Sequence, residues 1–185
     1  MSATLRQLGF KVEFVYGNLD WALAEAKLLS GVRISFAIRY LQHAKIGLFG
    51  YQAPGFQDFH PNPFAMRKTF GSLLLHFGMT EFVNEARNVD RDSVEADVRH
   101  VTETLRLPFK SEESGFGVAG PEDIEPSSRH FLSLKKFIEN ENLDGLAVRC
   151  WPELPGPEDL GGLDQWCYMA LARLASEGNF NKISS

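Results

Sequence analysis

Arg149-Cys150-Trp151-Pro152-Glu153 sets a guanidinium, a thiol, an indole and a carboxylate side by side, directly after the apolar run Leu146-Ala147-Val148. Such groups are costly to bury unless they are paired or used. Two readings follow: a ligand-binding edge, or a structural Arg149–Glu153 ion pair. A second concentration lies in the loop after Ile46-Gly47-Leu48-Phe49, where Tyr51, Gln52, Phe56, Asp58, Phe59 and His60 fall among Gly and Pro. Aromatic faces beside oriented donors and acceptors suit a sugar, whose CH faces stack while its hydroxyls hydrogen-bond. A loop of this kind packs equally well on a neighbouring subunit. Both segments read as strand ends, and open α/β proteins bind ligands just beyond the carboxyl ends of parallel strands.

Other chemistry is weakly signalled. Gly47, Gly50 and Gly55 do not make the G-x-G-x-x-G spacing that opens a helix onto a dinucleotide, so they read as structural. Asp58 and His60 could ligate a metal or move a proton, but no third ligand is recognisable nearby. Neither H-E-x-x-H nor Cys/His zinc spacing occurs, and no G-x-S-x-G elbow is present. His43, His76, His100 and His130 read as ordinary surface or satisfied core histidines. Asp97 with His100, and Glu139 with Glu141, read as solvated helix faces. No catalytic residue and no metal ligand is assigned.

The positioning elements follow from periodicity. Leu5, Leu8 and Gly9 suggest the end of a helix over residues 1–9, and Lys11 to Tyr16 alternates as a strand does. Asn18 would cap a helix from Leu19 to Leu29, continuing from Val32 to Leu41 past Gly31. Ile46 to Phe49 predicts a buried strand, Phe64 to Phe70 a helix with Pro63 in its first turn, and Leu73 to Phe77 another strand. Helices are predicted over Glu81 to Arg87, capped by Thr80, over Asp92 to Leu105, and over Ser127 to Asn140. Leu143 to Val148 predicts the last strand and Leu163 to Ser176 the last helix. Residues 108–126 read as a flexible loop and residues 179–185 as a frayed tail. Alternating helices and strands predict a single α/β domain over residues 1–185. Its sheet would be small, open and mostly parallel, flanked by helices in a Rossmann-like or flavodoxin-like three-layer arrangement.

Composition bounds the partners. The 185 residues are 44% hydrophobic and 23% charged, as expected of a globular domain. With 24 acidic against 19 basic residues the net charge is −5, and no basic run invites nucleic acid. No apolar run approaches a membrane span, and no signal-peptide pattern opens the chain. Cys150 and Cys167 fit reduced thiols, so a cytoplasmic setting is expected.

The order of motifs resembles the L-fucose isomerase-like family of aldose–ketose isomerases. The matching run is Val15-Tyr16-Gly17, a long helix, Ile46 to Gly50 with Pro54-Gly55-Phe56, and Arg67-Lys68-Thr69-Phe70-Gly71. The helix around Phe131 to Glu139 and the segment Leu143 to Glu153 complete it. The likeness covers roughly Lys11 to Gly178 and is weak between Pro108 and Pro126. It implies conversion of an open-chain aldose to its ketose at a divalent metal, usually Mn2+. That ion would acidify the migrating proton and stabilise an enediolate-like transition state. In the family, the metal-binding Glu lies in a Cys-Glu-x-Asp-like run soon after the helix matching Leu163 to Ser176. The chain instead reads Gly178-Asn-Phe-Asn-Lys-Ile-Ser-Ser185, without a convincing ligand set.

The resemblance therefore implies a central domain shortened at both ends, weakly active or inactive alone, with a monosaccharide such as L-fucose or D-arabinose as substrate. Arg149, Trp151 and Glu153 would border that substrate, with Tyr51 and Gln52 as further contacts. Two other classes stand beside it. One is a non-catalytic module for interaction or homo-oligomerisation; the other, resting on fold analogy alone, is a flavodoxin-like small-ligand protein.

Overall fold

The computed structural model describes residues 2–18, 20–52, 55–56, 58, 60–105, 121–149, 154 and 167–178. The chain divides into two compact units, Met1–His43 and Ala44–Ser185. The first holds α1 (Ser2–Gln7) and α2 (Ala22–His43). Residues 10–16 carry no regular structure, which corrects the strand expected over Lys11 to Tyr16. Alternation marks a pleated segment but does not supply a partner, and among its described residues this unit has no second strand to complete a ladder. Asn18 is not the helix cap; its backbone carbonyl accepts from Trp21 N in the turn before α2. The helix runs unbroken through Gly31, whose carbonyl accepts a hydrogen bond from Ser35 Oγ at 2.9 Å.

The second unit contains β1 (Lys45–Phe49), α3 (Pro63–Phe70), β2 (Leu73–Phe77), α4 (Met79–Arg87) and α5 (Arg91–Leu105). It continues with α6 (Pro121–Glu141), β3 (Gly145–Val148) and α7 (Tyr168–Ser176). The three strands form a parallel sheet in the order β2-β1-β3, as the α/β pattern predicts. Lys45 faces Leu73 and Phe49 faces Phe77 in one ladder, while Phe49 faces Val148 in the other. Asp144 fixes the start of β3: its carboxylate accepts from Lys45 N at 2.9 Å and its own N–H donates to the Lys45 carbonyl at 2.8 Å.

Local chemistry explains most boundaries. Asn62 caps α3 by accepting from Phe64 N and Ala65 N, with Pro63 at the first helical position. Gly78 precedes α4, so Thr80 lies inside that helix and does not cap it. Asp90 accepts from Ser93 N at 2.9 Å and opens α5. Residues 121–126 belong to α6, which corrects the C-terminal part of the loop expected over 108–126. Pro121 suits a helix start, while Pro126 looks like a breaker in the sequence; within α6 it forgoes one intrahelical hydrogen bond. Residues 106–120, like the tail 179–185, lie outside the described residues.

The core sits under the sheet on one side. Phe49 is fully buried and stacks on Phe77 at 4.8 Å, with Phe82 at 5.7 Å and Phe137 at 5.0 Å meeting it edge-on. Side chains of α4, α6 and α7 complete this cluster, together with Leu143 and Leu154. Gly47 lies where a side chain has no room: a Cβ would meet Leu143 Cδ1 at 2.7 Å.

Candidate functional site

Parallel pairing brings the carboxyl ends of all three strands to one edge. Pairing continues one step past the strands: Gly50 N donates to the Phe77 carbonyl and Arg149 N to the Phe49 carbonyl, each at 2.9 Å. Gly50 then turns the chain with φ +81°, a conformation L side chains rarely adopt. A Cβ on it would come within 2.9 Å of Met79 Cγ and 3.2 Å of Arg149 Cβ. Gly50 is thus the hinge that delivers Tyr51 and Gln52 beside Arg149.

Arg149 Nη1 donates to the Gln52 carbonyl at 3.3 Å, tying the loop after β1 to the end of β3. The Gln52 side-chain amide donates to the Phe56 carbonyl and shapes the same loop. Tyr51, largely exposed, lies near-parallel to His76 with ring centroids 6.3 Å apart. The His60 ring lies 6.4 Å from that of His76. Tyr51, Gln52 and Arg149 therefore converge, as strand-end placement suggests. Trp151, Glu153 and Cys150 lie outside the described residues, as does the proposed Arg149–Glu153 pair.

His76 joins this group although its sequence context marks it as ordinary. It occupies a strand position opposite Leu48, and only the register shows that Tyr51 lies beside it. Asp58 and His60 are both exposed. Among the described residues no three His, Cys, Asp or Glu side chains gather to hold a metal ion. These residues do not by themselves fit a manganese ion.

Two polar groups lie elsewhere, inside the helical layer. Asp97 is not a solvated helix residue, as the sequence suggested: Arg173 Nη1 and Nη2 donate to its two oxygens at 2.7 and 2.8 Å. Both side chains are about nine-tenths buried, Glu177 joins at 3.1 Å, and the guanidinium lies 3.8 Å from the Phe131 ring. Burial alone would raise the Asp97 carboxyl. Hydrogen bonds from Arg173 and the Arg173 and His100 charges outweigh it, so the group is held below its ordinary value. His100 is exposed, as are Glu139 and Glu141.

His130 is fully buried against Phe82, and among the described residues neither ring nitrogen has a hydrogen-bond partner. It is therefore not the satisfied core histidine expected. Burial pushes its pKa down to about 4, so it is neutral at pH 7. The described thiol, Cys167, is buried.

No family model matches the chain. It is 26% identical over 153 residues to the sulfoquinovose isomerase of Priestia aryabhattai and to that of Priestia megaterium, covering 82% of this chain and 32% of each relative. It is 22% identical over 152 residues to the sulfoquinovose isomerase of Alkalicoccus urumqiensis, with the same shares covered. The chain spans about a third of the length of the curated relatives it matches. The likeness to these proteins, named as sugar isomerases, is distant. No helix among the described residues is long and apolar enough to cross a membrane.

Proposed function

We propose that the chain is part of a sugar aldose–ketose isomerase and binds a monosaccharide at the carboxyl edge of β1, β2 and β3. The observation that carries this reading is the Arg149–Gln52 contact, which draws Tyr51, Gln52 and Arg149 to one strand-end edge. A guanidinium there donates to sugar hydroxyls or to an acidic substituent, and the Tyr51 ring offers a face to CH groups. Trp151 and Glu153, adjacent in sequence, extend the contact set. The substrate class is an L-fucose- or D-arabinose-like sugar, or sulfoquinovose, on which the relatives are named to act. This chain's own part is to bind and orient the sugar.

Arg149→Ala is expected to weaken sugar binding about tenfold or more, the loss typical of a charge-assisted hydrogen bond. Ligand-observed NMR with L-fucose and with sulfoquinovose measures this, and unchanged binding overturns the assignment. The resemblance implies a chain weakly active or inactive alone, so the purified chain with added Mn2+ is expected not to interconvert L-fucose and L-fuculose. Robust turnover in a ketose assay would contradict that expectation.

A second reading rests on α2, where Leu23, Ile34, Phe36 and Ile38 are each more than half exposed. Exposed apolar surface of this extent marks interfaces, so the chain would self-associate without catalysing. A single monomeric species over a hundredfold concentration range in sedimentation velocity removes that reading.

A further inference from the structure

The strand-end edge carries a second feature beyond the Arg149–Gln52 contact. His76 lies one residue before the end of β2. Strand alternation sets it on the face opposite Phe77, which packs into the core. Its ring is exposed, yet it is not isolated. Tyr51 approaches at 6.3 Å with a 25° interplanar angle, and His60 at 6.4 Å with a 41° angle. Tyr51 arrives through the Gly50 turn, His76 through the β1–β2 register, and His60 through the loop leading to α3. The β1–α3 connection and β2 thus bring two exposed rings, Tyr51 and His60, to His76, at the edge where Arg149 holds the Gln52 carbonyl.

Rings held by mutual contact lose little rotamer freedom on binding, which favours affinity through preorganisation. Each ring also has a polar rim, a phenol hydroxyl or imidazole nitrogens, that can reach hydroxyls at the edge of whatever lies on its face. A flat apolar ligand would leave those polar groups unused, whereas a pyranose or furanose ring uses both face and rim.

We infer that Tyr51, His76 and His60 form a ring-stacking subsite that receives the CH face of the monosaccharide. His76 is the residue that both other rings meet. This rests on the sugar-binding reading above and extends it to two histidines that act as binding residues. They are assigned no role as metal ligands or proton donors. The arrangement makes the site selective for sugars with an unbroken apolar face, over open polyols of the same composition.

The test is ligand-observed saturation-transfer NMR on the whole chain, with L-fucose, sulfoquinovose and, for comparison, L-fucitol. The proteins are wild type, His76→Ala, His76→Phe and His60→Ala, each checked for folding by circular dichroism. His76→Ala and His60→Ala are expected to weaken sugar binding about two- to tenfold, the range of one aromatic contact. His76→Phe keeps the face and should stay within about twofold of wild type. L-Fucitol should show weaker transfer than L-fucose.

If wild type binds a sugar and His76→Ala and His60→Ala bind it equally well, the subsite is refuted while the sugar-binding reading survives. If His76→Phe is as weak as His76→Ala, stacking is refuted as the contact. If neither sugar shows transfer to wild type, the reading and the subsite fall together. His60→Ala lies outside the sheet, so it keeps the test decisive should the strand variant misfold.

Discussion

His130 has an acid-sensitive position in α6 that follows from its burial alone. An unfolded histidine titrates near 6.5, whereas this ring, fully buried against Phe82, titrates at about 4. Between those values the unfolded chain binds more protons than the folded one, so stability rises with pH across that window. The contribution is complete above about pH 6.5 and is lost as pH falls towards 4, by up to about 3 kcal/mol. Asp97 acts lower on the scale. Its depressed pKa gives stability present above the ordinary carboxylate value and lost as pH falls below it. The two effects therefore separate experimentally. Urea unfolding at pH 7, 5.5 and 4.5 should show a steady loss in wild type and a flatter profile in His130→Leu. Parallel profiles would mean that the imidazole reaches solvent. Leucine also removes two buried nitrogens that have no partner among the described residues, so the variant should be no less stable than wild type at pH 4.5.

At the scale of elements, β1 decides whether the edge exists, because its backbone pairs with both neighbours and its end turns into the loop. Gly47→Ala forces a methyl to within 2.7 Å of Leu143 Cδ1 and 3.2 Å of Phe49 Cε2. These are side-chain ends that can shift, so the expected loss is about 1–3 kcal/mol, the usual range for overpacking. Gly145→Ala on the neighbouring strand meets nothing within 4 Å and is expected to be near neutral. Equal denaturation midpoints for the two variants would show that β1 has slack the packing denies. Strands such as Ile46–Phe49 and Leu73–Phe77 are legible in sequence because their apolar runs are short and bounded by Gly, Pro or polar residues. Lys11 to Tyr16 misleads for the opposite reason: its alternation is real, but pairing is a property of two segments. The start of α6 is hidden in a Ser-, Glu- and Gly-rich stretch up to Pro126 that offers few core residues. At the site, Tyr51, Gln52 and Arg149 are legible from their place after apolar runs. His76 is not, since only the β1–β2 register brings Tyr51 to it. Asp97 is misread because its partner Arg173 lies 76 positions away, beyond any periodicity.

At the largest scale, the second unit is closed by that long-range pair. Arg173 on α7 holds Asp97 on α5 through two hydrogen bonds and lies over Phe131 on α6, so one guanidinium links three helices. Two of them, α6 and α7, also pack in the core against the sheet whose carboxyl edge carries Tyr51, His76 and Arg149. A buried ion pair adds little net stability over a well-packed apolar pair, but removing one partner strands the other charge. Asp97→Ala is therefore expected to cost about 3–5 kcal/mol, a large share of the 5–15 kcal/mol typical of a domain. Asp97→Leu combined with Arg173→Met should recover most of that loss, because no charge is then left buried. Urea midpoints for the single and double variants measure both effects. A single variant within about 1 kcal/mol of wild type would place the pair in solvent reach, where exposed salt bridges contribute that little. A double variant as unstable as the single one would show instead that the stack on Phe131 and the bond to Glu177, and not the stranded charge, carry the link between α5 and α7.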